Sequence, residues 1–127
     1  MNFPDNLRYT KEHEWIRLDE DGTAVIGITD FAQHELGDIV FVELEPEGTE
    51  LEEDEVFGTV EAVKTVSELF MPINGTIVAL NDHLEDAPES INESPYEEGW
   101  MIRVQIDDPS ELDALMDAAA YADMVGA

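Results

Sequence analysis

Lys64 is the residue whose surroundings point most clearly to chemistry, because it lies in the middle of the β-forming stretch GTVEAVKTVSELFMPINGTI, residues 58–77. Lysine is otherwise rare, since the chain contains only one other, Lys11. Lys64 falls between two short apolar runs, where the tip of a hairpin is expected. A lysine at such a tip projects into solvent and is accessible to a modifying enzyme. This position favours a modification site over an ordinary surface lysine that protects a strand edge.

Other reactive groups have little support in the sequence. A Schiff-base lysine needs a desolvated pocket, which a hairpin tip close to Glu61 and Glu68 does not offer. The three histidines form neither an i, i+4 pair nor an HExxH motif, so no metal site is predicted. With 32 Asp and Glu residues, neighbouring carboxylates arise by chance and do not indicate a glycosidase. Cysteine is absent, so any redox sulfur must come from outside the polypeptide.

The formal net charge of −27 limits the classes of partner. Contacts to phosphate need Lys and Arg, of which the chain has five, so general nucleic-acid binding is excluded. The same charge disfavours binding to an anionic membrane surface. The acids are spread along the whole chain, and they fit either docking to a basic partner or solubility in a salt-rich cytoplasm, where self-repulsion is screened. We favour the second, halophilic interpretation.

No targeting or membrane segment is predicted. The N-terminal stretch MNFPDNLRYTKEHEW lacks an apolar core of signal-peptide length. No segment approaches the run of about 18 apolar residues that a membrane helix needs. The sequence therefore indicates a soluble protein of the cytoplasm.

Short strands separated by turns are the elements that must position Lys64. Alternating apolar residues predict strands at HEWIRL, AVIGIT, DIVFVEL, GTIVALN and WMIRVQI, and the lysine-bearing hairpin is expected over about residues 56–71. Many short strands at close spacing indicate an all-β barrel or sandwich.

Two helices are expected beside the strands. Asp30 is predicted to cap a short helix, FAQHEL, that Gly37 ends. A C-terminal helix is expected over about 109–124, capped by Asp107 or Asp108, with an apolar stripe of Leu112, Leu115, Met116 and Ala119. Residues 82–99 read as a long loop with one helical turn near Pro88. No linker divides the chain, so residues 1–127 are predicted to form one domain.

Four stretches together resemble the H protein of the glycine cleavage system. They are RYTKEHEW, GITDFAQHELGDIVFVELEPEG, VEAVKTVSELFMPINGTIVALN and SINESPYEEGWM, and they follow the family's order over most of residues 8–103. The family's modified lysine usually lies in a Glu-Ser-Val-Lys-Ala context. Here the context is Glu-Ala-Val-Lys-Thr, with the lysine at position 64. The resemblance implies a mainly β fold, a flattened lipoyl-type β-barrel/sandwich hybrid.

The resemblance also implies a cofactor and roles for individual residues. Lipoate would be joined to Lys64 through an amide, and Glu61 would be recognised by the lipoate-attaching enzyme. Glu12, Glu14 and Glu68 would line a cleft for the cationic aminomethyl arm. The chain would be a carrier rather than an enzyme.

The partners implied are those of the glycine cleavage system. A pyridoxal-phosphate glycine decarboxylase would load the arm, an aminomethyltransferase would pass the one-carbon unit to tetrahydrofolate, and dihydrolipoamide dehydrogenase would reoxidise the dithiol. A lipoate-attaching enzyme would install the cofactor, and the carrier is expected to be a monomer.

Three alternative functions stay open at this point. A biotin carrier usually places its lysine between methionines, whereas Val63 and Thr65 flank Lys64. A free-standing lipoyl domain of a 2-oxo acid dehydrogenase is a nearer alternative, although HEWIRL, NESPYEEGW and the C-terminal helix are additional to it. An unmodified acidic binding module is the third.

Overall fold

The computed structural model describes residues 2–126, and short strands make up most of its regular structure. The strands in chain order are β1 Arg8–Tyr9, β2 Glu14–Leu18, β3 Thr23–Ile28, β4 Ile39–Leu44, β5 Glu50–Leu51, β6 Val56–Ala62, β7 Val66–Phe70, β8 Gly75–Leu80 and β9 Ile102–Ile106. The helices are α1 Asp30–Leu36, α2 His83–Asp86, α3 Ser90–Glu93 and α4 Ala118–Val125, with a 3₁₀ helix at Pro109–Ala114. None of the helices in this part of the chain is long and apolar enough to cross a membrane.

The strands form two antiparallel sheets that share one core. The larger sheet has the order β1-β2-β3-β9-β8-β5, and the smaller sheet has the order β4-β6-β7. Ile26 and Val104 of the larger sheet and Val60 and Leu69 of the smaller sheet belong to the same buried cluster. This arrangement confirms the predicted mainly β, sandwich-like fold.

The hairpin of β6 and β7 carries Lys64 at its tip. The last register pair before the tip is Glu61 opposite Val66. The Ala62 N–H donates to the Thr65 carbonyl at 2.7 Å, and the Val63 N–H donates to the Asp38 carbonyl at 3.0 Å. The second bond joins the tip to the segment between α1 and β4, so the backbone around Lys64 is held from two sides.

Helix α1 begins at Asp30, one residue earlier than predicted. Thr29 is the N-cap, and its Oγ1 accepts the Ala32 N–H at 3.1 Å. Asp30 is instead the first helical residue, and its carboxylate accepts from Gln33 Nε2 at 2.7 Å. Gly37 ends the helix as predicted, with φ at 81° and its N–H donating to the Gln33 carbonyl.

The single C-terminal helix expected over about 109–124 is divided in the structure. Its first part is the 3₁₀ helix, which Asp108 caps by accepting the Ser110 N–H at 3.0 Å. The chain is then extended through Met116, which exchanges two backbone hydrogen bonds with Tyr9 at 2.8 and 3.0 Å. In a continuous helix the Met116 N–H and carbonyl would bond to other residues of the same helix. Their pairing with Tyr9 therefore interrupts the helix. Asp117 restarts the helix as the N-cap of α4.

The predicted apolar stripe consequently does not form. Leu112 is buried in the main core, with Leu115 packed against it. Met116 packs instead on a second cluster around Tyr9, Trp15 and Tyr121.

Candidate functional site

Lys64 is exposed, and its side chain extends over the end of α1. A Cβ placed on Gly37 would lie 3.5 Å from Lys64 Cε and 3.8 Å from Nζ, so the lysine stem contacts the helix terminus. Within residues 2–126, Lys64 has no carboxylate at ion-pair distance. The amine is therefore accessible from solvent while its stem lies on protein surface.

A groove of about 390 Å³ starts beside this contact. Helix α1 forms one wall, β7 forms the other, and the loop before β2 contributes the remaining polar groups. The lining residues are Glu12, His13, Ile28, Phe31, Ala32, Glu35, Leu36, Ser67, Glu68 and Leu69. Leu36 immediately precedes Gly37, so the groove runs from the neighbourhood of Lys64 across the surface between helix and hairpin.

Three carboxylates line the groove, and the sequence predicts two of them. Glu12 and Glu68 were expected at this site, and both are exposed and lie on its walls. Glu35 of α1 is an additional member. Glu35 lies four residues after Phe31, which places both side chains on one face of the helix. This spacing is the sequence feature from which Glu35 could be predicted as a groove residue. A cation in the groove would meet negative charge from the helix, the hairpin and the loop.

Glu14 lies elsewhere, although it was expected in the same cleft. Its side chain is only 1% exposed. Its Oε1 accepts from Thr10 Oγ1 at 2.6 Å, and its Oε2 accepts the Phe70 N–H at 3.3 Å. Burial raises the pKa of the Glu14 carboxyl to about 8. Glu14 therefore ties the loop before β2 to the end of β7 and is not a lining residue of the groove beside Lys64.

His13 also lines the groove, although its sequence context gives no sign of this position. Its backbone has φ at 72°, and its ring packs 4.9 Å from that of Phe31. Its Nδ1 lies 2.8 Å from Tyr121 Oη, which in turn lies 2.8 Å from Thr29 Oγ1. Burial lowers the pKa of His13 below its ordinary value. One hydroxyl of α4 thus holds both the His13 ring and the residue that caps α1.

Glu61, predicted to be a recognition residue, lies on the outer face of the smaller sheet. It is exposed and stands opposite Phe41 on β4 and opposite Val66 on β7. The site therefore has two parts: a groove on one side of Lys64, and an outer surface that includes Glu61.

Comparisons with known proteins agree on one family. The family model described as glycine cleavage H-protein matches residues 7–127. The glycine cleavage system H protein of Chlorobium phaeovibrioides is 66% identical over 127 residues, covering 99% of this chain and 99% of the relative. That of Salinibacter ruber is 63% identical over 124 residues, covering 98% and 99%. The crystal structure of the H protein from Mycobacterium marinum is similar with a TM-score of 0.90 and 38% identity, covering 98% of this chain and 100% of the other.

Proposed function

The chain belongs to the glycine cleavage H-protein family, and from that premise we propose that lipoate is joined to Nζ of Lys64 through an amide. Members of this family are lipoyl carriers and not catalysts, so this chain is a carrier component that works with the enzymes of the glycine cleavage system. The observation that supports Lys64 as the attachment point is its exposed position on a fixed hairpin tip beside the groove.

The residues around Lys64 fit a long, neutral acyl substituent. Amide formation removes the ammonium charge, as acetylation does. Ile28, Phe31, Leu36 and Leu69 give the groove apolar surface against which such a chain can pack. When bound, lipoate supplies the redox sulfur that a chain without cysteine lacks.

Substitution of the lysine tests the attachment point. Lys64→Arg keeps the charge but lacks the primary amine that forms the amide, so we expect no mass adduct and no support of glycine cleavage. Lys11→Arg is the matched control, because it changes the only other lysine. The measurement is the intact mass of protein purified from its native host, followed by the mass of the peptide that contains residue 64. A lipoyl adduct on the Lys64→Arg variant would contradict the assignment.

We propose that Glu12, Glu68 and Glu35 stabilise the cationic aminomethyl cargo in the groove. Their carboxylates line it from three elements, beside the apolar side chains of Phe31 and Leu36. Glu14 contributes differently from what its sequence position predicts, by holding the loop that carries Glu12 and His13.

Amide variants test the groove acids. In Glu12→Gln/Glu68→Gln, loss of the two negative charges should shorten the lifetime of the loaded carrier about severalfold, measured as release of ammonia after loading. Glu85→Gln changes an exposed acid of α2 that does not line the groove, and it should have no effect. An unchanged lifetime in the double variant would remove both acids from the site.

We propose the family's partner set for this carrier. Glycine decarboxylase with pyridoxal phosphate loads it, aminomethyltransferase with tetrahydrofolate unloads it, and dihydrolipoamide dehydrogenase reoxidises it. A lipoate-attaching enzyme precedes all three.

We further propose that the acidity is an adaptation to a salt-rich cytoplasm. The acids occupy strands, helices and loops along the whole chain, rather than one segment. Within residues 2–126, the ion pairs join only Arg17 and Arg103 to Asp19, so the negative charge is balanced mainly by counterions.

A further inference from the structure

The exposed apolar side chains of this protein are concentrated around Lys64. Val40 and Phe41 are 50% and 52% exposed, and Val63 and Val66 are 76% and 60% exposed. We refer to these four residues as the apolar collar. The other large apolar side chains that are exposed in residues 2–126 are Leu18, Val78 and Met124. Those three lie on other elements, so the collar is the place where exposed apolar surface gathers.

The strand register explains how the collar is displayed. Phe41, Glu61 and Val66 are direct cross-strand neighbours, and such neighbours share one face of a sheet. The register of β4 shifts between Ile39 and Phe41, which leaves Val40 as an extra residue. That bulge allows Val40 and Phe41 to be exposed in succession, where a regular strand would bury one of them.

The collar is held in place by backbone hydrogen bonds. The Val63 N–H donates to the Asp38 carbonyl, which joins the hairpin tip to the chain just before β4. Both sides of the collar therefore keep a fixed relation to Lys64. Clustered exposed apolar residues on a fixed framework are typical of a contact surface and add nothing to solubility.

We propose that the apolar collar is the docking surface of the lipoate-attaching enzyme. This rests on the proposed attachment of lipoate at Lys64. In that reaction an amide C–N bond forms at Nζ, the bond from the acyl carbon of an acyl adenylate to its phosphate oxygen breaks, AMP leaves, and the ammonium gives up two protons. The reacting atom belongs to Lys64 itself, so the enzyme surface must contact the residues around it. Enzymes that use the finished arm act many bonds away.

The charges around the collar define the chemistry of that surface. Glu61 lies between Phe41 and Val66, and the exposed carboxylates of Asp38 and Glu43 lie beside the apolar residues. A complementary partner has an apolar centre, a cationic group facing Glu61 and a rim of Lys or Arg. Glu61 thus adds a negative charge beside the apolar collar, on the same face of the sheet.

Variants of the collar separate docking from folding. Val63→Thr/Val66→Thr keeps the β-branched shape, and Phe41→Ser is a second, independent variant. Val78→Thr, on β8 with 42% exposure, is the matched control. The apo-protein is incubated with purified lipoate–protein ligase of the same organism, lipoate and ATP, and the adduct is followed by intact mass. We expect kcat/KM to fall about tenfold or more in both collar variants, because weaker docking raises KM. The control should stay within about twofold, with similar unfolding midpoints throughout.

A second measurement decides between the ligase and the enzymes that use the arm. The collar variants are lipoylated to completion with excess ligase, and exchange of the glycine carboxyl group by glycine decarboxylase is then measured. We expect rates within about twofold of wild type. Unchanged lipoylation kinetics in both variants would overturn the proposal, as would normal lipoylation with impaired decarboxylase turnover. Wild-type protein that takes up no lipoate would instead overturn the attachment at Lys64.

Discussion

Glu14 shows how far a single side chain can depart from its sequence neighbours. It lies two residues from the exposed Glu12, yet it is buried and bonded to Thr10 and to the Phe70 N–H. Burial disfavours the charged form and raises the pKa of its carboxyl to about 8 from an ordinary 4.5. The folded protein therefore keeps a proton on Glu14 over a pH range in which the unfolded chain has lost it.

This proton makes stability depend on pH in a defined direction. The folded state binds more protons than the unfolded state between about pH 4.5 and 8, so the contribution of Glu14 to stability falls as pH rises and is fully lost above about 8. Relative to Glu14→Gln, the wild-type free energy of unfolding should decrease by roughly 2–5 kcal/mol across this window. Chemical denaturation from about pH 5 to about pH 9 measures it.

Glu12→Gln is the control for this prediction, because Glu12 is exposed. Its denaturation curves should follow wild type at each pH. Parallel curves for wild type and Glu14→Gln would show that Glu14 does not titrate as argued.

The sequence predicts one cleft for Glu12, Glu14 and Glu68, but it does not distinguish their surroundings. Glu12, Glu14 and Glu68 look alike in a chain with 32 acidic residues. Glu14 differs from the two acids in the groove because it bonds to the Phe70 N–H on β7. Phe70 is 56 positions away in the sequence, so no local pattern indicates this contact. The position of Lys64 at a hairpin tip was predictable because the pattern is local, with two short strands on either side of it.

At the level of elements, α4 supports the groove through one hydroxyl. Tyr121 packs in a stacked pair with Tyr9 at 4.8 Å, and its Oη reaches both His13 and Thr29. Thr29 caps α1, and His13 lines the groove. The C-terminal helix therefore positions two groove elements without lining the groove itself.

Removing that hydroxyl should loosen α1. Tyr121→Phe keeps the ring packing but leaves His13 Nδ1 and Thr29 Oγ1 with one partner fewer, which should cost about 1–2 kcal/mol of unfolding free energy. Amide hydrogen exchange at Ala32, whose N–H is bonded to Thr29 Oγ1, should become faster. Asp117→Ala removes the cap of α4 at a similar cost of about 1 kcal/mol. Exchange at Ala32 should stay unchanged in that control, and equal exchange in both variants would argue against the link.

The strand pattern was predictable, whereas elements that depend on distant partners were not. Alternating apolar residues identified β2, β3, β4, β8 and β9. The two-residue strands β1 and β5 are too short to show any period, and they exist because β2 and β8 lie beside them. The division of the C-terminal helix likewise depends on the pairing of Met116 with Tyr9, more than 100 positions away. The sequence of residues 109–124 alone therefore does not predict the division.

For the whole molecule, the net charge of −27 should make stability depend on salt. Self-repulsion destabilises the compact state, and added ions screen it over a Debye length of about 10 Å at 0.1 M and about 3 Å at 1 M. If the acids serve salt adaptation, the free energy of unfolding should rise steadily from about 0.1 M to about 3 M KCl. Denaturation at fixed pH across this series measures it.

A variant with fewer acids provides the control. Amide replacements at Glu45, Glu47, Glu50, Glu52 and Glu53 remove five negative charges from one surface segment, and the salt dependence should become shallower. Full stability in dilute buffer would favour docking to basic partners as the purpose of the acidity.

The bonds from Val63 to Asp38 and from Ala62 to Thr65 fix the Cα position of residue 64. The proposed acyl arm would therefore pivot about a fixed Cα, and the distance that its free end reaches would depend on the number of its own bonds. Each proposed partner enzyme would have to bring its reactive centre within that distance of Lys64. Inserting flexible residues at the tip would increase the volume that the free end of the arm can reach. The effective concentration of that end at each enzyme would then fall.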